Sequence, residues 1–306
     1  MGQPQAILIA GPTASGKSQL AVDIAQAVDG VVINADSMQV YRDLSVLTAR
    51  PQIEEMRGIE HELYGVLAAG DTYSVGRYMR DAAVHFEAVR ARGQVPIFVG
   101  GTGLYFRGLL EGLSPVPPID PEVRQRWRAL GQSEGAGVLH AALKARDAEM
   151  AHRLAPTDAQ RLARALEVIE STGRSLSYWQ AQSGTPVLEE AQCTKIVVTM
   201  DRAMLYERCD MRFSQMLEQG ALFEVARLQA MELDPELPVM RALGVAPLMS
   251  YLRGEADLSQ AKTRGQTETR QYVKRQFTWL NRNMISWKWI NFSIIERNEA
   301  LNDILC

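Results

Sequence analysis

The chain is poor in cysteine. Its 306 residues hold three, Cys193, Cys209 and Cys306, far apart and never as C-x-x-C. That pattern excludes a disulfide framework and a zinc ribbon, and reads as reduced thiols in a cytoplasmic protein. No apolar run approaches the ~20 residues of a membrane span, so no membrane partner is expected. The N-terminus has no charged head or small-residue cleavage site, and its apolar stretch reads as a strand. Charge of one sign is also scarce: the net charge is −3, which taken alone argues against a nucleic-acid partner. At 46% hydrophobic and 23% charged residues, the remainder is an ordinary globular composition.

What the chain does have begins at residue 7. The apolar run Ile7–Ala10 leads into Gly11-Pro12-Thr13-Ala14-Ser15-Gly16-Lys17-Ser18, the pattern G-x-x-x-x-G-K-S. Glycines let backbone N–H groups approach an anion, and the helix that follows points its positive end at the same place. Lys17 supplies a point charge for outer phosphates, and the Ser18 hydroxyl a ligand for Mg²⁺. The loop therefore predicts a phosphorylated small-molecule ligand.

Three apolar, β-branched runs, Ala6–Ala10, Val31–Asn34 and Val95–Val99, alternate with helix-like stretches. This spacing predicts an α/β core with a parallel sheet and ligands beyond the carboxyl ends of its strands. The proline-dense Ser114–Pro121 breaks the pattern, and Glu122–Leu130, Val138–Leu154 and Ala159–Thr172 carry apolar residues at helical spacing. Lys195–Met200 reads as a further strand, with helices after it. The expected organisation is a core of residues 1–117 and 193–306 interrupted by an all-helical insertion domain over 118–192.

Asp36 follows the second apolar run, whereas Pro96–Val99 ends in Gly100-Gly101-Thr102-Gly103 with no acid. Asp36 is thus read as the strand-end carboxylate beside the loop: a metal-sphere ligand, a general base, or else a helix N-cap or Asx-turn. Ser37, Gln39 and Tyr41 crowd the same turn, and a Gln amide suits an adenine edge. Thr102 can reach a ligand from the second glycine turn. Arg208 and Arg212 lie one helical turn apart and can clamp a diphosphate, or else form surface pairs with Glu207 or Asp210. From Lys262 to Lys288 seven basic residues (Lys262, Arg264, Arg270, Lys274, Arg275, Arg282, Lys288) face one acid, Glu268. Aromatics are interleaved among them, a footprint suited to a phosphate backbone as well as to a solvated helix face.

Taken together, these segments resemble the bacterial tRNA dimethylallyltransferases, also called tRNA isopentenyltransferases. The resemblance runs nearly end to end through GPTASGKS (11–18), INADSMQVYRDL (33–44), TARP (48–51), VGGTGLY (99–105), DAQRLARALEV (158–168), TGRSLSYWQ (172–180), DRAMLYERCDMRFSQM (201–216), RALGV (241–245) and TRQYVKRQFTW (269–279). His61-Glu62-Leu63-Tyr64 departs from it, since two histidines usually stand there. The resemblance implies a P-loop NTPase-like fold and a reaction. A dimethylallyl group leaves dimethylallyl diphosphate and joins N6 of the adenosine 3′-adjacent to the tRNA anticodon. It implies that Asp36, Thr102 and Arg212 are catalytic, and that Gly11 to Ser18 with Arg208 hold the diphosphate. Ser18 would bind Mg²⁺. Asp36, Ser37, Met38, Gln39, Thr102, Arg124, Gln160, Arg161, Leu162, Ala163, Arg164, Arg241, Lys274 and Arg275 would hold the anticodon stem-loop. A monomer is the expected state. The main alternative is a small-molecule kinase that uses the loop for ATP, followed by a non-catalytic RNA-binding module.

Overall fold

The structure is a computed structural model, and it describes residues 4–305. In chain order the elements are β1 (Ala6–Ala10), α1 (Lys17–Val28), β2 (Gly30–Asn34), α2 (Ile53–Met56), β3 (His61–Glu62), α3 (Val75–Ala91), β4 (Val95–Gly100), α4 (Gly103–Glu111), α5 (Pro121–Ser133), α6 (Ala136–Arg146), α7 (Ala148–Arg153), α8 (Ala159–Thr172), α9 (Leu176–Gln180), β5 (Cys193–Thr199), α10 (Arg202–Glu218), α11 (Ala221–Ala230), α12 (Val245–Leu252), α13 (Leu258–Asn283), β6 (Lys288–Asn291) and α14 (Arg297–Leu305). The chain divides into two compact units, one of residues 1–110 with 187–306 and the other of 111–186. The division thus falls several residues before the expected 118 and 192.

The first unit holds a six-stranded sheet in the order β3-β2-β4-β1-β5-β6, with every pair parallel. Parallel strands buried on both faces read as continuous apolar runs, and β1, β2 and β4 are buried at every position. Two apolar clusters cover the two faces of the sheet: Leu8, Ile33 and Phe98 on one side, Ile7, Ile9 and Ile97 on the other. The two edge strands were not expected. β3 has two residues and β6 four, too short for a clear periodic signal. The order also places β4 between β1 and β2, so Asp36 does not follow a strand adjacent to β1.

The second unit is helical, α5 to α9, around Trp127, Leu139, Leu143, Met150, Leu162 and Leu166. The expected single helix Val138–Leu154 is two helices. Asp147 caps α7 by accepting from the Met150 N–H at 2.9 Å, and this breaks the run. Ala159–Thr172 is a helix as expected. Asp158 accepts from the Arg161 N–H at 3.1 Å at its start, and Gly173 closes it at φ 68°.

Candidate active site

The loop after β1 is built for an anion. Gly16 caps α1 at φ 90°, a left-handed conformation that glycine adopts without strain. No side chain caps α1 and no acid lies in its first turn, so its first N–H groups are open to a ligand. Gly11 admits no side chain, since a Cβ there would sit 2.4 Å from the Val198 carbonyl oxygen of β5. Pro12 and Ser15 are buried, Thr13, Ala14, Lys17 and Ser18 half-buried, and the Ser15 hydroxyl is without a hydrogen-bond partner.

Three cations gather at this loop. Lys17 Nζ donates only to the Pro12 carbonyl, at 3.2 Å, and Arg212 Nη2 donates to Thr13 Oγ1 at 2.9 Å. Arg208 touches Met200 Sδ. None has a carboxylate partner among the described residues. Asp210, a rival partner in the sequence, instead accepts from Arg270 Nη1 of α13 at both carboxylate oxygens, at 2.6 and 2.7 Å. Burial lowers the Lys17 pKa to about 8, with Asp36 raising it and Arg212 lowering it. Burial likewise lowers Arg212. Uncompensated, partly desolvated cations beside open helix N–H groups have a high affinity for a multivalent anion. A cavity of about 620 Å³ opens from the loop. Its walls pair Lys17, Ser18, Arg208 and Arg212 with the apolar Val46, Met211 and Met216.

Asp36 is held by its own turn. The Asn34 side chain, fully buried at the end of β2, donates to the carbonyls of Asp36 (3.0 Å) and Leu63 (3.1 Å) and accepts from the Asp36 N–H (2.8 Å). The segment with the single histidine therefore supports the Asp36 turn through Leu63. His61 itself bonds Ile59 through Nδ1, and burial lowers its pKa. Asp36 Oδ1 accepts from the Met38 N–H at 2.9 Å, which is an Asx-turn, while Oδ2 has no hydrogen bond among the described residues. Thr102 Oγ1 accepts from the Ser37 N–H at 3.0 Å and lies 3.3 Å from Ser37 Oγ, tying the two strand-end turns together. The loop and Asp36 meet across Gly101. A Cβ on it would lie 3.4 Å from Asp36 Oδ2 and 3.5 Å from the Gly11 carbonyl oxygen.

Several expected RNA-facing groups prove otherwise engaged. Gln39 Nε2 donates to the carbonyls of Thr48 and Ala49, both at 2.9 Å, so its donors brace the 48–51 turn and do not face a base edge. Leu162 and Ala163 lie in the core of the helical unit, and their side chains are closed to solvent. Arg241 is ion-paired with Glu236, and Arg161 with Asp158. The basic stretch is partly neutralised by Glu268 on Arg264, Asp210 on Arg270 and Asp303 on Lys288, and Lys288 lies on β6. Lys274 and Arg275 remain exposed on α13, with no acidic partner among the described residues and the Arg275 guanidinium 5.4 Å over the Tyr272 ring. Gln160 is exposed at the start of α8. In the helical unit Arg124, Arg128 and Arg164 converge on the buried carboxylate of Glu167, at 3.8, 3.0 and 3.4 Å. Sequence reasoning missed Asn34, Glu167 and Gln276. Each is a polar residue at a position where the apolar periodicity calls for a hydrophobic one, and that was the available signal.

A family model described as IPP transferase matches residues 39–283, and one described as isopentenyl transferase matches 4–65. The chain belongs to this family. It is 52% identical over 285 residues to a tRNA dimethylallyltransferase of Azorhizobium caulinodans, covering 93% of this chain and 91% of that one. It is 51% identical to a tRNA dimethylallyltransferase of a Bradyrhizobium, covering 94% and 95%. Among solved structures it is similar to the full-length tRNA isopentenylpyrophosphate transferase of Bacillus halodurans, with TM-score 0.72, 30% identity, and 99% and 94% coverage. It is also similar to a eukaryotic dimethylallyltransferase acting on tRNA, with TM-score 0.81, 27% identity, and 98% and 79% coverage. The parallel sheet and loop are accordingly the P-loop NTPase-like fold of this family, here combined with an all-helical unit. Among the described residues no helix is long and apolar enough to cross a membrane.

Proposed function

We propose that this chain is a tRNA dimethylallyltransferase. In this reading it transfers the dimethylallyl group of dimethylallyl diphosphate to N6 of the adenosine next to the 3′ side of the anticodon. The observation that carries the reading is the set of three unpaired cations, Lys17, Arg208 and Arg212, around open loop amides beside a partly apolar cavity. Diphosphate and a short hydrocarbon match that pairing of charge and apolar wall.

The chemistry follows from the geometry. As the donor C–O bond breaks, its electron pair leaves with diphosphate, and the growing charge meets the open N–H groups at the start of α1 with Lys17, Arg208 and Arg212. The N6–carbon bond forms, and Asp36 Oδ2, free of hydrogen bonds among the described residues, takes the N6 proton. Thr102 holds the Asp36–Ser37 turn against the second glycine turn and stands ready for the adenosine. A stacked loop base has to be flipped out to reach such a site. Ser37, Met38, Arg124, Gln160, Arg164, Lys274 and Arg275 are assigned to the RNA. The Ser18 hydroxyl, half-buried on the cavity wall and making no hydrogen bond among the described residues, fits one ligand position of Mg²⁺. Among the described residues no cluster of three His, Cys, Asp or Glu forms a cage. Mg²⁺ keeps several waters and leans on substrate phosphates. When bound, it would neutralise part of the leaving-group charge. The protein is placed in the cytoplasm, where its RNA substrate is found, and is taken to act as a monomer.

Two labels test this. With tRNA present, radiolabel is expected to enter RNA from dimethylallyl diphosphate and to map to one modified adenosine by nucleoside mass. Transfer of label from γ-labelled ATP to a small acceptor, with none from the allylic donor, would establish the kinase reading instead.

A further inference from the structure

The interior stripe of α13 runs Ala261, Gly265, Thr269, Val273, Gln276, Leu280. Five of these are small or apolar or, like Thr269, bonded within the helix. Gln276 is a primary amide, 7% exposed. A buried amide is costly unless both of its ends are bonded. Both are. Oε1 accepts from the Thr13 N–H at 2.9 Å, and Nε2 donates to the Gly101 carbonyl at 3.1 Å. The partners fix the orientation of the amide, since an N–H must face oxygen and a carbonyl must face the NH₂. Thr13 belongs to the loop after β1 and Gly101 to the turn after β4, the neighbouring strand. Thr13 is tied a second time, through its hydroxyl, to Arg212 of α10. Gly101 has no room for a side chain because the Gln276 amide occupies it, 2.4 Å from the Cβ position.

We propose that Gln276 is a positioning residue for the transfer reaction. By bridging Thr13 and Gly101, it holds the diphosphate loop in register with the turn that carries Thr102 and faces Asp36. The inference rests on the reading of that loop as the donor site. It separates the two sides of one helical turn of α13. Lys274 and Arg275 are exposed for RNA, whereas Gln276 faces inward and serves the donor. Without the bridge, Thr13 and the Gly101 turn can shift independently. A displacement of about 1 Å between reacting groups can cost roughly 10²-fold in rate.

Gln276→Met preserves volume and removes both bonds. The expected result is a fall of about 10²-fold in kcat/KM for the donor and roughly tenfold weaker binding of inorganic diphosphate in calorimetry, with tRNA affinity unchanged within about twofold. A double-mutant cycle separates this from a purely structural role. Gly101→Ala alone displaces the Gln276 amide and should reproduce the defect. In a Gln276→Ala background the remaining neighbours of that Cβ are at 3.4 and 3.5 Å, so adding Gly101→Ala should cost little more. Additive effects of the two substitutions would overturn the proposal. So would a Gln276→Met protein whose diphosphate affinity and donor KM match the parent, or one whose loss lies in tRNA affinity. Failure of the parent protein itself to bind diphosphate would remove the premise, a result visible before any variant is compared.

Discussion

Two clusters of cations differ in how their charge is managed. At the phosphate loop, Lys17, Arg208 and Arg212 have no carboxylate partner among the described residues, and burial depresses both Lys17 and Arg212. In the helical unit, Arg124, Arg128 and Arg164 share one carboxylate, Glu167, which is 1% exposed while the arginines are 41–63% exposed. The first arrangement is poorly stabilised without a ligand and gains most from a small, highly charged one. The second is already organised. It carries a net charge of about +2 with guanidinium donors facing water, which suits a polymer of phosphates that must be positioned more than bound tightly. Under the proposed function the difference follows from ligand size: a diphosphate delivers its charge to one point, an RNA backbone spreads it.

The largest expected effect breaks the loop side of that comparison without touching its cations. Asp36 is the carboxylate whose field opposes the depression of both Lys17 and Arg212. Asp36→Ala should lower turnover by about 10²-fold or more while tRNA binding persists and diphosphate binds as well as before or better. Turnover within a few-fold of the parent would remove Asp36 as the proton acceptor.

That prediction rests on a residue whose importance was legible, although its setting was not. The strand runs at 6–10, 31–34 and 95–99 and the loop at 11–18 are apolar patterns and a spacing rule, both local properties of the chain. Strand order is non-local, and β4 lies between β1 and β2, which no local pattern specifies. Asp36 reaches the loop because Gly101 is bare, a fact that needs three segments at once. Gln39 shows what side-chain chemistry alone leaves out. Its amide suited a base edge by chemistry alone, but the nearby 48–49 carbonyls claimed it. The resemblance supplied Leu162 and Ala163 as part of a motif, and it could not distinguish motif residues that face RNA from those that hold the helix.

A titration sharpens the loop side further. An anion binds the protonated form of Lys17. Below about pH 8 the free protein already carries that proton, and above it the proton must be taken up on binding. Affinity for inorganic diphosphate should therefore be flat in this term below pH 8 and fall by about tenfold per pH unit above it. Lys17→Arg stays charged throughout and removes the term, so the ratio of the two proteins cancels the ionisation of the ligand itself. A ratio constant from pH 7 to 9.5 would mean that Lys17 is not desolvated.

On the helical side the corresponding change is Glu167→Gln. It leaves three guanidinium groups facing one another around a buried neutral amide. The exposed arginines dilute the penalty, so the expected loss is about 1–2 kcal/mol, seen as a lower Tm and, with the cluster splayed, weaker tRNA binding. Turnover of bound tRNA should hardly change. A drop in kcat with Tm and RNA affinity intact would assign Glu167 to chemistry and erase the contrast between the two clusters.

The smallest effect is expected at Lys274, which belongs to neither cluster and tests whether α13 joins the RNA surface at all. Arg264 and Arg270 on the same helix are neutralised by Glu268 and Asp210, so the bare count of basic residues overstates the field there. Lys274 is exposed and unpaired among the described residues, and a phosphate contact by one lysine carries no sequence information. Lys274→Ala should weaken all tRNAs by a similar few-fold factor and lower the slope of log affinity against log salt by about 1. Glu268→Gln would free Arg264 and should steepen the same slope, moving it the opposite way. If neither substitution moves the slope, this face of α13 does not lie on the RNA backbone, and RNA binding falls to the helical unit with its arginines gathered on Glu167.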